Sequence, residues 1–167
     1  MIDYIRGLLQ QYKQKGILVD TNILLLLFVG TVNPNRIEQF KRTQQFNKED
    51  YQLLSAILKD FSKIVVTPNI LTEVNSFINL LSDPERSECL NALTQAVNRL
   101  DESYIKSKVA TQVEKFATFG LTDCGIIHLA RRDSYLVFTD DARLAAYLQK
   151  IGIDAINFNN IRGYGWK

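Results

Sequence analysis

The chain carries only two cysteines, three prolines, one histidine, one methionine and one tryptophan. Cys89 and Cys124 are too few and too irregularly placed for a disulfide framework or a zinc knuckle, so they read as free thiols of a reducing compartment. No Gly-rich phosphate loop is present, which removes the P-loop and dinucleotide fingerprints. The apolar stretch Ile23 to Val29, even with Ile17 to Val19 ahead of it, is interrupted by Asp20 and Asn22 and falls far short of a membrane span. The N-terminus mixes Asp3, Arg6 and glutamines with its apolar residues, unlike an export signal, so a cytoplasmic protein with no membrane partner is expected. A formal charge of +2 is too small to announce a nucleic-acid binder; a polyanionic substrate is permitted and not shown.

What is there is an ordinary globular composition, 46% hydrophobic and 23% charged over 167 residues, which fits one domain with a real core. Its organising stretch is Gly16-Ile-Leu-Val-Asp-Thr-Asn22, an apolar run that stops on a carboxylate, a hydroxyl and an amide. Such a run reads as a strand buried on both faces, as in a parallel sheet, with Asp20 at its carboxyl end, where ligands bind in open α/β sheets. Ile64-Val65-Val66 before Thr67-Pro68, Tyr135 to Phe138 before Thr139-Asp140-Asp141, and Ala155 to Phe158 read as further strands.

Between them, Met1 to Gln14 has helical spacing, and a core helix after Asn22 is expected to end at Gly30. Asn33-Pro34, Asn47 and Thr67-Pro68 are cap signatures, and Asp83-Pro84 opens a long helical rhythm as far as Phe116, as one helix or two in line. The regions at about 31–61 and 84–116 are thus helical excursions from a single domain. Thr122 is the expected N-cap of another helix, with Asp123 in its first turn, and Asp140-Asp141 opens the last helix, which Gly152 stops.

Asp20, Glu73, Asp123 and Asp141, with Asp140 as a spare, all fall after a strand or early in a helix. Each alone has a bland explanation, because acidic residues suit first helical turns. Together they lie far apart in sequence and meet only through a fold. Converging carboxylates repel one another and take up protons unless a positive charge intervenes. Arg143, or Lys63 at a strand's wrong end, is the one internal partner on offer. Hard oxygen ligands suit Mg²⁺ or Mn²⁺, ions able to activate water and orient a phosphodiester. Thr21, Asn22 and Thr139 are placed to fix the carboxylates or to satisfy local backbone.

Val19-Asp20-Thr21-Asn22, Thr67-Pro68-Asn69-Ile70-Leu71-Thr72-Glu73, Leu121-Thr122-Asp123 and Val137-Phe138-Thr139-Asp140-Asp141 resemble, in order and context, the four acidic motifs of PIN-domain ribonucleases, including the toxins of type II toxin-antitoxin pairs. The resemblance runs from about Gly16 to Phe158. It implies a three-layer α/β/α sandwich with a central, mainly parallel sheet and a metal-dependent RNA-cleaving site. It matches Asp20, Glu73 and Asp123 to the first three acidic positions and, through a Thr-x-Asp pattern, Asp141 to the fourth, with Asp140 as an auxiliary ligand. It also implies an RNA substrate, Mg²⁺ or Mn²⁺, and an inhibitory antitoxin protein. The excursions make the chain larger than a minimal toxin; a cover for the site, a homodimer surface and an inhibitor surface stay open for them.

Two other classes stand beside the nuclease. One is a PIN-like module that binds RNA or protein without cutting; the other is a doubly wound phosphatase, whose usual Asp-x-Asp is here Asp20-Thr21-Asn22. His128 falls off the helical face of Asp123 and reads as a satisfied or exposed helix histidine and not as a general base. Tyr147 reads as core, whereas Tyr164 and Trp166 are candidates for base stacking. Arg36, Lys41 and Arg42 in the first excursion, and Arg131, Arg132, Arg143, Lys150, Arg162 and Lys167 near the C-terminus, offer phosphate contacts or a solvated surface.

Overall fold

The computed structural model describes residues 1–164. Five strands form a parallel sheet in the order β3-β2-β1-β4-β5, with helices on both faces in three layers. The strands are β1 (Ile17–Val19), β2 (Ile64–Val66), β3 (Asp101–Glu102), β4 (Leu136–Thr139) and β5 (Ala155–Asn157). The helices are α1 (Ile2–Tyr12), α2 (Thr21–Val32), α3 (Lys48–Lys59), α4 (Pro68–Ile78), α5 (Glu85–Ala96), α6 (Ser107–Ala110), α7 (Phe116–Asp133) and α8 (Ala142–Lys150). Central strand β1 is flanked by β2 and β4, and Ile17, Leu18 and Val19 have no exposed surface, which is why it is apolar at every position rather than at alternate ones.

Helix α2 is the core's main body, with Ile23 to Leu26 all at 0% exposure and contacts to α3, α4 and α5. A helix enclosed on all sides needs no polar stripe. It does not stop at Gly30, as its sequence suggests, but continues to Val32. Gly30 is there for packing: a Cβ at this position would stand 2.3 Å from Cδ2 of Tyr51 on α3, so only glycine admits that ring. Asn33-Pro34 does start a helical turn, of the 3₁₀ type and spanning Pro34–Gln39, with the Asn33 side chain accepting from the Asn35 N–H. At α3, Asn47 and Asp50 form a reciprocal capping box.

The segment after Pro84 departs most from its helical rhythm. Helix α5 ends at Ala96, and Asp101–Glu102 pairs in parallel with Val65–Val66 as edge strand β3. Both β3 side chains are exposed, so their charges protect an edge instead of filling a core. The open backbone edge of β2, not the side-chain pattern, decides this conformation. No helix among the described residues is long and apolar enough to cross a membrane.

A candidate acidic site at the carboxyl ends of the strands

From β1 the chain builds outward through β2 and β3 on one side and later through β4 and β5 on the other. The strand order therefore reverses between β1 and β4, and a crevice forms beyond the carboxyl ends of strands at such a reversal. Asp20 leaves β1 there, Asp140 and Asp141 leave β4, and α4 carries Glu73 in from β2.

Asp20 is 7% exposed and caps α2. Its Oδ1 accepts from the Ile23 N–H at 3.1 Å, and its Oδ2 accepts from the Thr139 hydroxyl and from the Asp140 N–H at 3.3 Å. Burial, followed by the charge of Asp140, pushes its carboxyl up to about 8 even though Thr139 and Ile23 act in the opposite direction. Asp123 on α7 is pushed up to about 7 by burial and then by Asp141, Glu73 and Asp140, all acting in the same direction. Asp140 is also raised, chiefly by burial and further by Asp141, while the Asn22 and Gln45 side chains oppose the shift. Asn22 Nδ2 reaches both Asp140 oxygens, at 3.2 and 3.3 Å.

Glu73 is held by two hydroxyls. Thr21 donates to its Oε2 at 2.6 Å and Thr122 to its Oε1 at 2.7 Å. Thr122 is thus not the cap, but a second helical segment of α7 does start here, just past Gly120, whose φ of 79° breaks the helical path. Thr122 and Asp123 fall in its first turn, and the Thr122 hydroxyl is turned to a carboxylate on another helix. Asp141 is exposed and caps α8, accepting from the Arg143 N–H at 2.7 Å and the Leu144 N–H at 3.0 Å. Thr139 is shared: it donates to Asp20 and accepts from the Asp141 N–H at 2.9 Å.

The fold thus gathers Asp20, Glu73, Asp123, Asp140 and Asp141 within electrostatic reach of one another. None of them has an ion-pair partner among the described residues, where the salt bridges are Lys13–Asp60, Arg36–Glu85, Arg132–Asp133 and Arg162–Asp50. Arg143 gives Asp141 its backbone N–H and no salt bridge. Comparison of the chain with protein-family models and with curated proteins finds no match.

Two properties of the cluster bear on a cation. Its donors are hard carboxylate oxygens with no ion-pair partner among the described residues, which suits Mg²⁺ or Mn²⁺ in chemistry. Yet among the described residues no three His, Cys, Asp or Glu side chains are grouped so as to hold one metal ion as they stand. The carboxylates are close enough to raise one another's proton affinity.

Several sequence expectations fall outside the cluster. His128 stands near Asp133. Tyr147 is half-buried and packs against the core, with its ring 5.3 Å from that of Phe119. Arg162 is committed to Asp50 at 2.8 Å and to the Gln45 carbonyl, so it is a brace and not a free phosphate ligand. Trp166 and Lys167 lie outside the described residues. Sequence reasoning missed Thr122, which it read as a cap, and Gln45, for which the local sequence holds no signal.

Proposed function

We propose that the chain is a Mg²⁺- or Mn²⁺-dependent endoribonuclease of the PIN kind, with Asp20, Glu73, Asp123 and Asp141 as cation-binding residues and Asp140 as an auxiliary one. The observation that carries this reading is a cluster of five carboxylates without a counter-ion among the described residues, at the point where the strand order reverses. The RNA preference, and the extension to a toxin restrained by an inhibitory partner, come from the resemblance of the ordered acidic motifs to those of PIN-domain ribonucleases. When bound, the cation would supply an activated water and polarise a phosphodiester. The chain's own part is positioning. Thr139 and the Ile23 N–H orient Asp20, Asn22 orients Asp140, and Thr21 and Thr122 fix the two oxygens of Glu73. Burial raises the cost of leaving Asp20 and Asp123 ionised, so a cation that displaces their protons gains a strong electrostatic site.

The static geometry favours a second reading, a PIN-like module that binds RNA or protein without cutting. Its specific support is the absence of a three-ligand group among the described residues, together with protein donors already committed to Asp20, Glu73 and Asp140. The nuclease reading requires that a cation draw the carboxylates together.

Incubation of the protein with single-stranded RNA, structured RNA and DNA, in Mg²⁺, Mn²⁺ or EDTA and beside Asp20→Asn, separates the two. The nuclease predicts RNA cleavage abolished by EDTA and by the substitution. RNA bound but never cut, with no cation uptake by calorimetry, selects the binding module. Cleavage that survives both EDTA and Asp20→Asn would reject the carboxylate site itself.

A further inference from the structure

The segment between the 3₁₀ turn and α3 lies against the acidic site with a defined inside and outside. Phe40, Thr43 and Phe46 are buried, and the Thr43 hydroxyl donates to the Ile37 carbonyl at 2.7 Å, while Lys41, Arg42, Gln44 and Gln45 are exposed. At its far end the Gln45 side chain is near enough to Asp140 to lower its proton affinity, and Arg162 holds the Gln45 carbonyl. At its near end the Arg42 guanidinium lies over the Phe77 ring, 4.4 Å from its centre. Phe77 follows Glu73 by one turn on the same stripe of α4. Arg42 and Gln45 are close in sequence, so their Cα atoms are at most about 11 Å apart. The segment therefore runs from the α4 side of the site to the Asp140 side, with the Arg42 cation fixed at its α4 end.

A cluster of carboxylates repels a polyanion, so a phosphate backbone needs positive charge beside it. Arg42 is exposed and forms no salt bridge among the described residues. A guanidinium stacked on a ring keeps its N–H edge open for a bidentate contact with a phosphate, and the ring limits the freedom it must lose on binding. We propose that the segment from Lys41 to Gln45 is an RNA-backbone rest, in which Arg42, positioned by Phe77, holds a phosphate next to the acidic site. This rests on the reading of that site as one that meets RNA, and not on whether the RNA is cut.

The test is fluorescence-anisotropy binding of a short labelled single-stranded RNA in EDTA across a salt series, with wild type, Arg42→Ala, Arg42→Lys and Phe77→Leu, each checked for native circular dichroism. Loss of one charge-assisted phosphate contact should weaken binding roughly ten-fold in Arg42→Ala and lower the slope of log K against log salt by about 0.7. Arg42→Lys should keep the slope while losing affinity, and Phe77→Leu should lose affinity with Arg42 intact. An unchanged affinity and slope in Arg42→Ala, or no RNA binding by wild type, overturns the proposal. Cleavage assays in Mg²⁺ or Mn²⁺ keep the two readings apart. Arg42-dependent binding without cleavage leaves the rest standing and removes the nuclease, whereas equal KM for wild type and Arg42→Ala does the reverse.

Discussion

Asp20 combines a structural and a chemical task in one side chain. As an N-cap it stabilises α2; as a buried carboxylate beside Asp140 it is costly to ionise. An unfolded Asp releases its proton near 3.8, whereas folded Asp20 keeps it until about 8. The folded state then binds more protons than the unfolded state between those values, and stability must fall as pH rises through that window. Asp123, raised to about 7, adds a fall of the same sign. In EDTA, urea midpoints of the wild type should therefore decline from about pH 4 to about pH 8. Asp20→Asn keeps an oxygen for the Ile23 N–H and removes the charge, so it should flatten the decline and raise stability near pH 8 by roughly 1–3 kcal/mol. Parallel curves for the two proteins would show that Asp20 is not the group responsible. Thr139 gives a converse case. Thr139→Val deprives Asp20 of a donor and the Asp141 N–H of an acceptor, and should cost about 1–3 kcal/mol in the same urea experiment.

Helix α2 and its neighbours show how a residue's meaning changes with its surroundings. Gly30 looks like a helix end because glycine usually is one, but here it is the notch for Tyr51. Gly30→Ala should destabilise by about 1–3 kcal/mol through overpacking, despite alanine's better helix propensity. Combining it with Tyr51→Leu should recover part of that loss, and a double-mutant cycle of thermal unfolding measures the coupling. Additive effects would place the clash elsewhere. Arg162 makes a similar point for the excursion, since it joins the C-terminal region to buried Asp50 in the α3 capping box and to the Phe46 ring at 5.1 Å. The local patterns of α1, α3 and α4 are legible because amphipathic spacing and caps are properties of a few adjacent residues. The edge strand β3 is not, because its conformation comes from β2, far away in the chain.

Taken as a whole, the protein holds an acidic cluster at the end of a sheet whose buried strands are mostly apolar, and its stability should respond to any ion that binds that cluster. If Mg²⁺ or Mn²⁺ binds the folded state alone, the midpoint of thermal unfolding rises with concentration as RT ln(1 + [L]/Kd), about 2.7 kcal/mol at one hundred times Kd. The rise should be absent in Asp20→Asn, and Na⁺ at matched ionic strength should not reproduce it. A wild-type midpoint indifferent to both divalent ions would leave the non-catalytic module as the function of this fold.

The parallel α/β class was readable from uniformly apolar strands ending on polar residues, and so were the five acidic residues that follow strands or open helices, since burial pattern and capping chemistry are local in sequence. Their mutual approach was expected from the resemblance and not from any local pattern. It depends on the strand order, which sets Asp20 beside Asp140 and brings α4 and α7 to the same edge. Nor could sequence order reveal that Thr122 would hold Glu73, that Gln45 would come near Asp140, or that Arg42 would lie on Phe77. A side-chain hydrogen bond or a ring contact extends only a few ångströms. Residues so distant along the chain come within that range only after the sheet has fixed where each helix begins.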